Sequence, residues 1–406
     1  MRTPLAWLPA LLCALAPGIS HALTLAEAHA LARTHNPELA QARLELQALQ
    51  AAETQAGARP NPELGVLVED TRSATRTTTV QWAQPLEMGA KRAARQAAAA
   101  LAREQAGVAL AAREADLIAT VTATFHEVLG AQAQRLQADE ALAIAARAAE
   151  AARKRLQAGK VPPLEVAKAQ VAQAAAQADL AQADADLALA RARLAALGIA
   201  TAASAATAEG DATALPGVPD AQRLAEALPD APALQLARLD IARRQALSDG
   251  ERARRVPDLT VTVGAKREAE TGRTLAVVGL SLPLPLADRN TGALLEALRR
   301  EDQAREALNA ATLKLQFDVT QALTRLRLSR EQARRLADDA LPTAQAAHDT
   351  ALRGYELGKF SFLDVLDAQR TLAQLRRERV QHTTDAHRAA ADLARLLGSP
   401  SLPTEP

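Results

Sequence analysis

Asp364 and Asp367 stand three residues apart just after a Gly-Lys turn, a spacing that puts both carboxylates on one face of a helix. Carboxylates presented this way attract cations and repel anions wherever several copies converge. Glycoside hydrolysis needs two carboxyls on opposing walls, and adjacent turns of one helix do not supply them. Asp364 also has a simpler role open to it, as a first-turn acid complementing the helix dipole. Outside the first 22 residues the histidines are His29, His35, His126, His348, His382 and His387. None lies three or four residues from another, and His382 and His387, five apart, fall on different helix faces. They read as solvated side chains, with no metal held by the protein and no cofactor expected. Phosphate loops, nucleophile elbows and zinc-protease signatures are absent from the sequence. No enzyme activity is expected.

The elements that must carry these residues come in two similar tellings. Residues 36–45 (NPELAQARLE) return as 231–240 (APALQLARLD), with five identities in ten. Residues 159–170 (GKVPPLEVAKAQ) return as 358–369 (GKFSFLDVLDAQ), with six in twelve. Pro62-Glu63-Leu64 maps onto Pro257-Asp258-Leu259, and Pro85-Leu86 onto Pro283-Leu284. Ordered matches at a nearly constant offset mark a duplication. The first unit is read as 23–198, with a hairpin at 63–84 and a helix turn at 159–163. A linker rich in Ala, Thr, Gly and Pro follows at 199–219. The second unit is 220–398, with a hairpin at 258–284 and a turn at 358–362, and 399–406 is expected to be a disordered tail.

Within each unit the period changes from helical to alternating and back. Thr24 and Glu27 form a capping box, and Asn36-Pro37 starts a second helix that Gly57 stops. Leu64, Val66 and Val68 alternate with Gly65, Leu67 and Glu69, and Val80 and Trp82 share a face on the return arm. Leu259, Val261 and Val263, then Ala276, Val278, Leu280 and Leu282, repeat the pattern, so arms of about ten residues are predicted. From Lys91 to Ala158 there is no proline, which predicts one helix of roughly 100 Å. Pro342 predicts a kink in its counterpart over 292–357.

Composition narrows the setting. Residues 1–22 read as a secretory signal peptide, with Arg2, an apolar run from Leu5 to Ala16, and Ser20-His21-Ala22 before the expected mature start at Leu23. Cys13, the only cysteine, lies inside it, so disulfides are excluded from the exported chain. With 48 basic and 47 acidic residues interspersed, no basic tract offers itself to nucleic acid. No segment after the leader reaches the roughly 18 consecutive apolar residues of a membrane helix. Tilted β arms of about ten residues do match a bilayer, and sheets in lipid must close. Four strands per chain are fewer than the roughly eight of the smallest barrels, so a membrane reading requires oligomerisation. In a soluble secreted protein the same hairpins would instead pack on helices.

The order helix, hairpin, very long helix, turn, helix, given twice after a leader, resembles the TolC family of outer-membrane efflux channels. Its most specific pieces are Tyr355-Glu356-Leu357-Gly358-Lys359 running into Leu363-Asp364-Val365-Leu366-Asp367-Ala368-Gln369, with a weaker copy at 155–170. Pro60-Asn61-Pro62-Glu63-Leu64 and residues 84–92 (QPLEMGAKR) look most like the CzcC-type outer-membrane components of heavy-metal cation efflux. The resemblance implies a mainly α chain with a small β part. It implies a homotrimer in which a twelve-stranded transmembrane β-barrel, four strands per chain, joins a periplasmic α-helical tunnel. Its partners would be outer-membrane lipid, a periplasmic adaptor (membrane fusion) protein and an inner-membrane pump of the resistance-nodulation-division class. By resemblance, Asp364 and Asp367 line the pore constriction as a cation ring, although the first unit has Glu165 and Lys168 there. Tyr355, the only tyrosine, would hold the entrance shut, or else serve as a packing ring. Gly159, Lys160, Gly358 and Lys359 would contact the adaptor, although helix termination alone accounts for them.

The expected function is thus a passive exit duct of a tripartite efflux system, carrying heavy-metal cations. The same duct for drugs, organic compounds or type I secreted proteins is one alternative. A soluble periplasmic coiled-coil adaptor or structural protein is another, and would carry a separate β domain between its helices.

Overall fold

Alanine-rich helices with few aromatics can approach closely along their whole length, and this chain is only 2% aromatic. The computed structural model describes residues 22–70, 72–199, 207–357 and 359–398. The expected leader up to residue 21, the linker residues 200–206, Gly358 and the expected tail from residue 399 lie outside the described residues.

Helices α1 (Leu25–His35) and α2 (Pro37–Ala56) lead into strands β1 (Glu63–Glu69) and β2 (Thr77–Leu86). The long α3 (Lys91–Gln157) turns into α4 (Pro163–Leu194), which ends in a π-helical turn at Ala195–Ile199. The second unit holds α5 (Ala221–Ala227), a 3-10 turn at Leu228–Asp230, α6 (Pro232–Arg254), β3 (Leu259–Glu268) and β4 (Thr274–Ser281). Helix α7 (Thr291–Arg335), a π segment at Leu336–Ala340, α8 (Leu341–Glu356) and α9 (Phe362–Leu397) complete it. The Thr24–Glu27 capping box forms as predicted, and Asn36 caps α2 through Leu39 N–H.

Pro342 produces its expected irregularity as the π segment just before it. Its ring lacks an N–H and crowds the carbonyl four residues back, so the helix widens there. The inner arms β2 and β3 have the predicted 10 residues each, whereas the outer arms β1 and β4 are shorter, at 7 and 8. Turn residues take up the difference: Asp70 accepts from Arg72 N–H, and Thr271 bonds Glu268. The hairpin predicted over 63–84 runs two residues further, through Pro85 to Leu86. Beyond Ala83 only β3 pairs with β2, so the missing proline N–H faces the unpaired side.

The two hairpins join through β2 and β3 into one antiparallel sheet, ordered β1-β2-β3-β4. Both long helices start from a left-handed residue, Ala90 (φ 64°) and Asn290 (φ 54°), which turns the chain from strand into helix. Below the sheet, α3 packs against α1, α2 and α4 of its own unit and against α6 and α9 of the other. One core gathers Leu39, Leu117, Val121, Phe125, Val128, Leu187, Leu194 and Ile199; a second gathers Leu224, Leu234, Leu315, Val319, Leu326, Leu393 and Leu397. A third, alanine at four of its six buried positions, lies at the helix turns around Ala149, Ala152, Val166, Ala169, Ala172 and Leu366.

Residues 207–219 form an ordered strap. Leu23 N–H donates to Thr207 O and Glu209 N–H to Leu23 O, both at 2.9 Å, and Arg330 donates to Pro216 O at 2.7 Å. Among the described residues no helix is long and apolar enough to cross a membrane.

Candidate functional site

At the helix turns the two units terminate their long helices alike. Lys160 N–H reaches back to Arg155 O at 2.9 Å, and Lys359 N–H to Gly354 O at 2.8 Å. These six-residue closures need a left-handed residue before the lysine, which Gly159 supplies at φ +68°. The corresponding Gly358 lies outside the described residues. Around both turns Leu164, Leu357, Phe360 and Leu363 are exposed. Phe360 folds its ring onto Gly354, where a side chain would have no room.

Tyr355 sits where the two units meet. Its hydroxyl donates to Glu165 Oε1 over a long 3.4 Å, and the guanidinium carbon of Arg155 lies 4.3 Å from its ring centre. Burial, with the negative Glu165 beside it, pushes the phenol above its ordinary value even against Arg155. One aromatic ring of the second unit therefore holds an acid and a base of the first.

Asp364 forms a capping box with Ser361: its Oδ2 accepts from Ser361 N–H and Oγ at 2.8 Å, and Ser361 Oγ accepts from Asp364 N–H at 3.3 Å. The helix-terminal role is thus occupied. Asp367 is exposed one turn on, while Val365 and Leu366 between them are buried. The two carboxylates share an outward face. Glu165 is drawn to Tyr355 and Lys168 is exposed, so the first unit offers no matching acid pair.

In the sheet, the register separates two chemistries. Leu64, Trp82, Val263 and Val278 form one row, and Val66, Val80, Ala265 and Ala276 the next row on the same face. Leu64 is 74% exposed, Val278 76% and Leu280 72%, so among the described residues nothing packs on this apolar face. The opposite face is mainly polar, carrying Gly65, Thr77, Thr79, Gln81, Thr262, Gly264, Lys266 and Glu268, with Leu67, Leu275 and Val277 among them. Gly264 is required there, because a side chain would strike the Val80 carbonyl and Gln81.

Comparison with known proteins identifies this arrangement. The profile of the family described as outer membrane efflux protein matches the chain twice, over residues 29–198 and 224–399. The chain belongs to that family. It is 43% identical over 376 residues to the cobalt-zinc-cadmium resistance protein CzcC of Cupriavidus metallidurans, covering 93% of this chain and 90% of that one. The nickel and cobalt resistance protein CnrC of the same organism is 33% identical, over 64% of this chain and 63% of its own length. Among solved structures, a membrane protein from Pseudomonas aeruginosa aligns with a TM-score of 0.79 at 21% identity, over 92% of this chain and 90% of that one. The outer membrane protein VceC from Vibrio cholerae gives 0.75 at 20%, over 92% and 96%. These likenesses establish the fold of an efflux channel subunit.

Within that efflux fold, the histidines correct the sequence expectation. His126 of α3 and His387 of α9 are largely buried and stack face to face, ring centres 3.4 Å apart and planes 8° from parallel. His387 Nε2 donates to Ala214 O of the strap at 2.8 Å. His29 bonds Thr122 at 2.9 Å, and His348 is buried as well. Two histidines 261 residues apart carry no local signal, so only the packing of α3 on α9 reveals them. No group of three metal-ligating side chains occurs among the described residues.

Burial, then the neighbouring imidazole, holds His126 at about 3, and burial lowers His387 too. As pH falls below about 6.5 the unfolded chain takes up protons that the stacked pair refuses. The stabilising contribution of the neutral stack is therefore complete above that value and lost progressively towards pH 3. Replacing both residues (His126→Phe, His387→Phe) should flatten the fall in thermal midpoint between pH 7 and pH 4, followed by circular dichroism in mild detergent. An unchanged slope would show that the pair does not couple folding to protons.

Proposed function

We propose that the chain is the outer-membrane exit duct of a tripartite efflux system for heavy-metal cations, acting as a homotrimer. The observation that carries this reading is the four-stranded sheet with an uncovered apolar face and two unpaired edges, β1 and β4. Three copies would close twelve strands into a barrel wide enough for a channel, apolar side to lipid and polar side to water. Relatedness to cation-resistance proteins supports the cargo, and family membership supports the outer-membrane location. The adaptor alternative called for a separate β domain, and the only sheet among the described residues is built from the two hairpins.

The helix turns would then form the periplasmic entrance. Three Asp364–Asp367 pairs would put six carboxylates around it, favouring cations as they pass. Each Tyr355 would act as a latch between the two helical hairpins of its subunit. A hydrogen bond and a cation–π contact together stabilise by roughly 1–2 kcal/mol. Three latches give about 3–6 kcal/mol, or a closed-to-open ratio of about 10²–10⁴. That is enough to keep the entrance shut at rest and small enough for a docking adaptor to overcome. The exposed apolar residues around Gly159, Lys160 and Lys359 suit such docking, and Gly358 shares the role by its place in the repeat. No step needs catalysis; an inner-membrane pump of the resistance-nodulation-division class would supply the work.

A strain lacking this chain should lose resistance to divalent metals such as zinc, cobalt or cadmium while keeping its resistance to lipophilic drugs, measured as inhibitory concentrations; the reverse pattern would assign the duct to organic cargo. In planar bilayers, Asp364→Ala with Asp367→Ala should lower the cation-over-anion permeability ratio several-fold and weaken block by divalent ions. Unchanged reversal potentials would place those acids outside the conduction path.

A further inference from the structure

The apolar face of the sheet does not stay apolar to its end. Ala269 N–H donates to Arg76 O at 2.9 Å, extending the β2–β3 ladder one pair beyond Thr77 and Glu268. Arg76 therefore falls on the same side as Thr78, Val80 and Trp82. One row below, Arg267 stands between Thr78 and Thr274, again on that side. Arg76 and Arg267 are diagonal neighbours, about 7–8 Å apart at the backbone, so both guanidiniums can converge on one group. Both arginines are exposed.

Glu270, exposed in the turn just beyond Ala269, makes no ion pair or hydrogen bond with either arginine among the described residues. Neither guanidinium has an ion pair or hydrogen bond among the described residues. On the polar face, by contrast, Lys266 Nζ lies 3.9 Å from Glu69 Oε2. Glu69 and Glu268 point to that polar side by strand alternation, and the Asp70 carboxylate is taken by Arg72 N–H and Thr75 Oγ1. Directly beneath Arg267 come Ala265 and Ala276, two small residues side by side, then Val263 and Val278. The face thus offers cations and hydroxyls at the rim, a shallow apolar trough below them, and an apolar wall below that.

We propose that Arg76 and Arg267, with Thr78 and Thr274, clamp the phosphate of a phosphorylated glycolipid in the outer leaflet, its acyl chain lying over Ala265 and Ala276. The proposal rests on the barrel reading above, which puts the hairpin tips at the outer surface, opposite the helices. Charge selects the ligand. A phosphomonoester on a sugar carries close to two negative charges at neutral pH and matches two guanidiniums, whereas a phosphodiester phospholipid carries one. Arginine suits the role because its planar fork binds phosphate oxygens two at a time.

The test is native mass spectrometry of the full-length protein released from mild detergent with bis-phosphorylated lipid A, its dephosphorylated form, or phosphatidylglycerol. The wild type should retain the bis-phosphorylated lipid at least ten-fold more than either other lipid. Arg76→Gln with Arg267→Gln should remove that preference, and Arg76→Lys with Arg267→Lys should restore part of it. Should the double variant fail to assemble, Arg267→Gln alone is expected to lower retention at least three-fold. Equal retention by the wild type and the Gln variant, or equal retention of all three lipids, overturns the clamp. Membrane insertion is scored in parallel by resistance to carbonate extraction. A wild type that does not insert sinks the barrel reading itself, whereas an inserted protein with arginine-independent lipid retention overturns the clamp alone.

Discussion

An unpaired strand edge is tolerable in water and intolerable in hydrocarbon, and this asymmetry governs the whole molecule. The sheet ends in β1 on one side and β4 on the other, so each edge leaves a row of peptide groups without strand partners among the described residues. Every such group costs several kcal/mol where water cannot reach it. The uncovered apolar face removes the option of keeping that sheet in solvent, because Leu64, Val66, Val278 and Leu280 would then stay hydrated. Closure with sister copies satisfies both demands together.

Joining the two units is the condition for this arrangement, and a few contacts between distant residues accomplish it. Lys91 Nζ and Met88 N–H both converge on Asp258 Oδ1, at 2.7 and 2.9 Å, fastening the start of α3 to the foot of β3. Arg95 gathers the carbonyls of Ala56 and Ala58 together with Glu87, tying α2 to the same junction. Midway down, the imidazole stack fastens α3 to α9, and Arg388 pairs with Glu127 beside it. At the far end Tyr355 closes the series. The sheet end is held mainly by charge, the middle by packing and an ion pair, and the turns by Tyr355 together with the small core around Ala149, Ala169 and Leu366.

Much of this was legible in sequence because its physics is local. Capping at Thr24, proline at the first turn of α2 and α4, glycine at the helix turn and alternation along the hairpins each act within a few residues. The repeat then placed both hairpins in one architecture. What escaped was non-local or conditional. Arm lengths depended on how Asp70 and Thr271 fold the hairpin turns. The strap at 207–219 looked like a featureless linker because its order comes from Leu23, Arg330 and His387, all far away in sequence. Asp364 shows a third case, in which a residue read for conduction also closes a capping box, two uses that spacing alone does not separate.

The central claim is that one chain is an incomplete wall. Its most direct test is the mass of the folded protein after extraction in mild detergent, by light scattering coupled to size exclusion. Three chains per particle, dissociating only on heating, is the predicted result. A homogeneous single-chain particle that keeps its β structure would contradict the account.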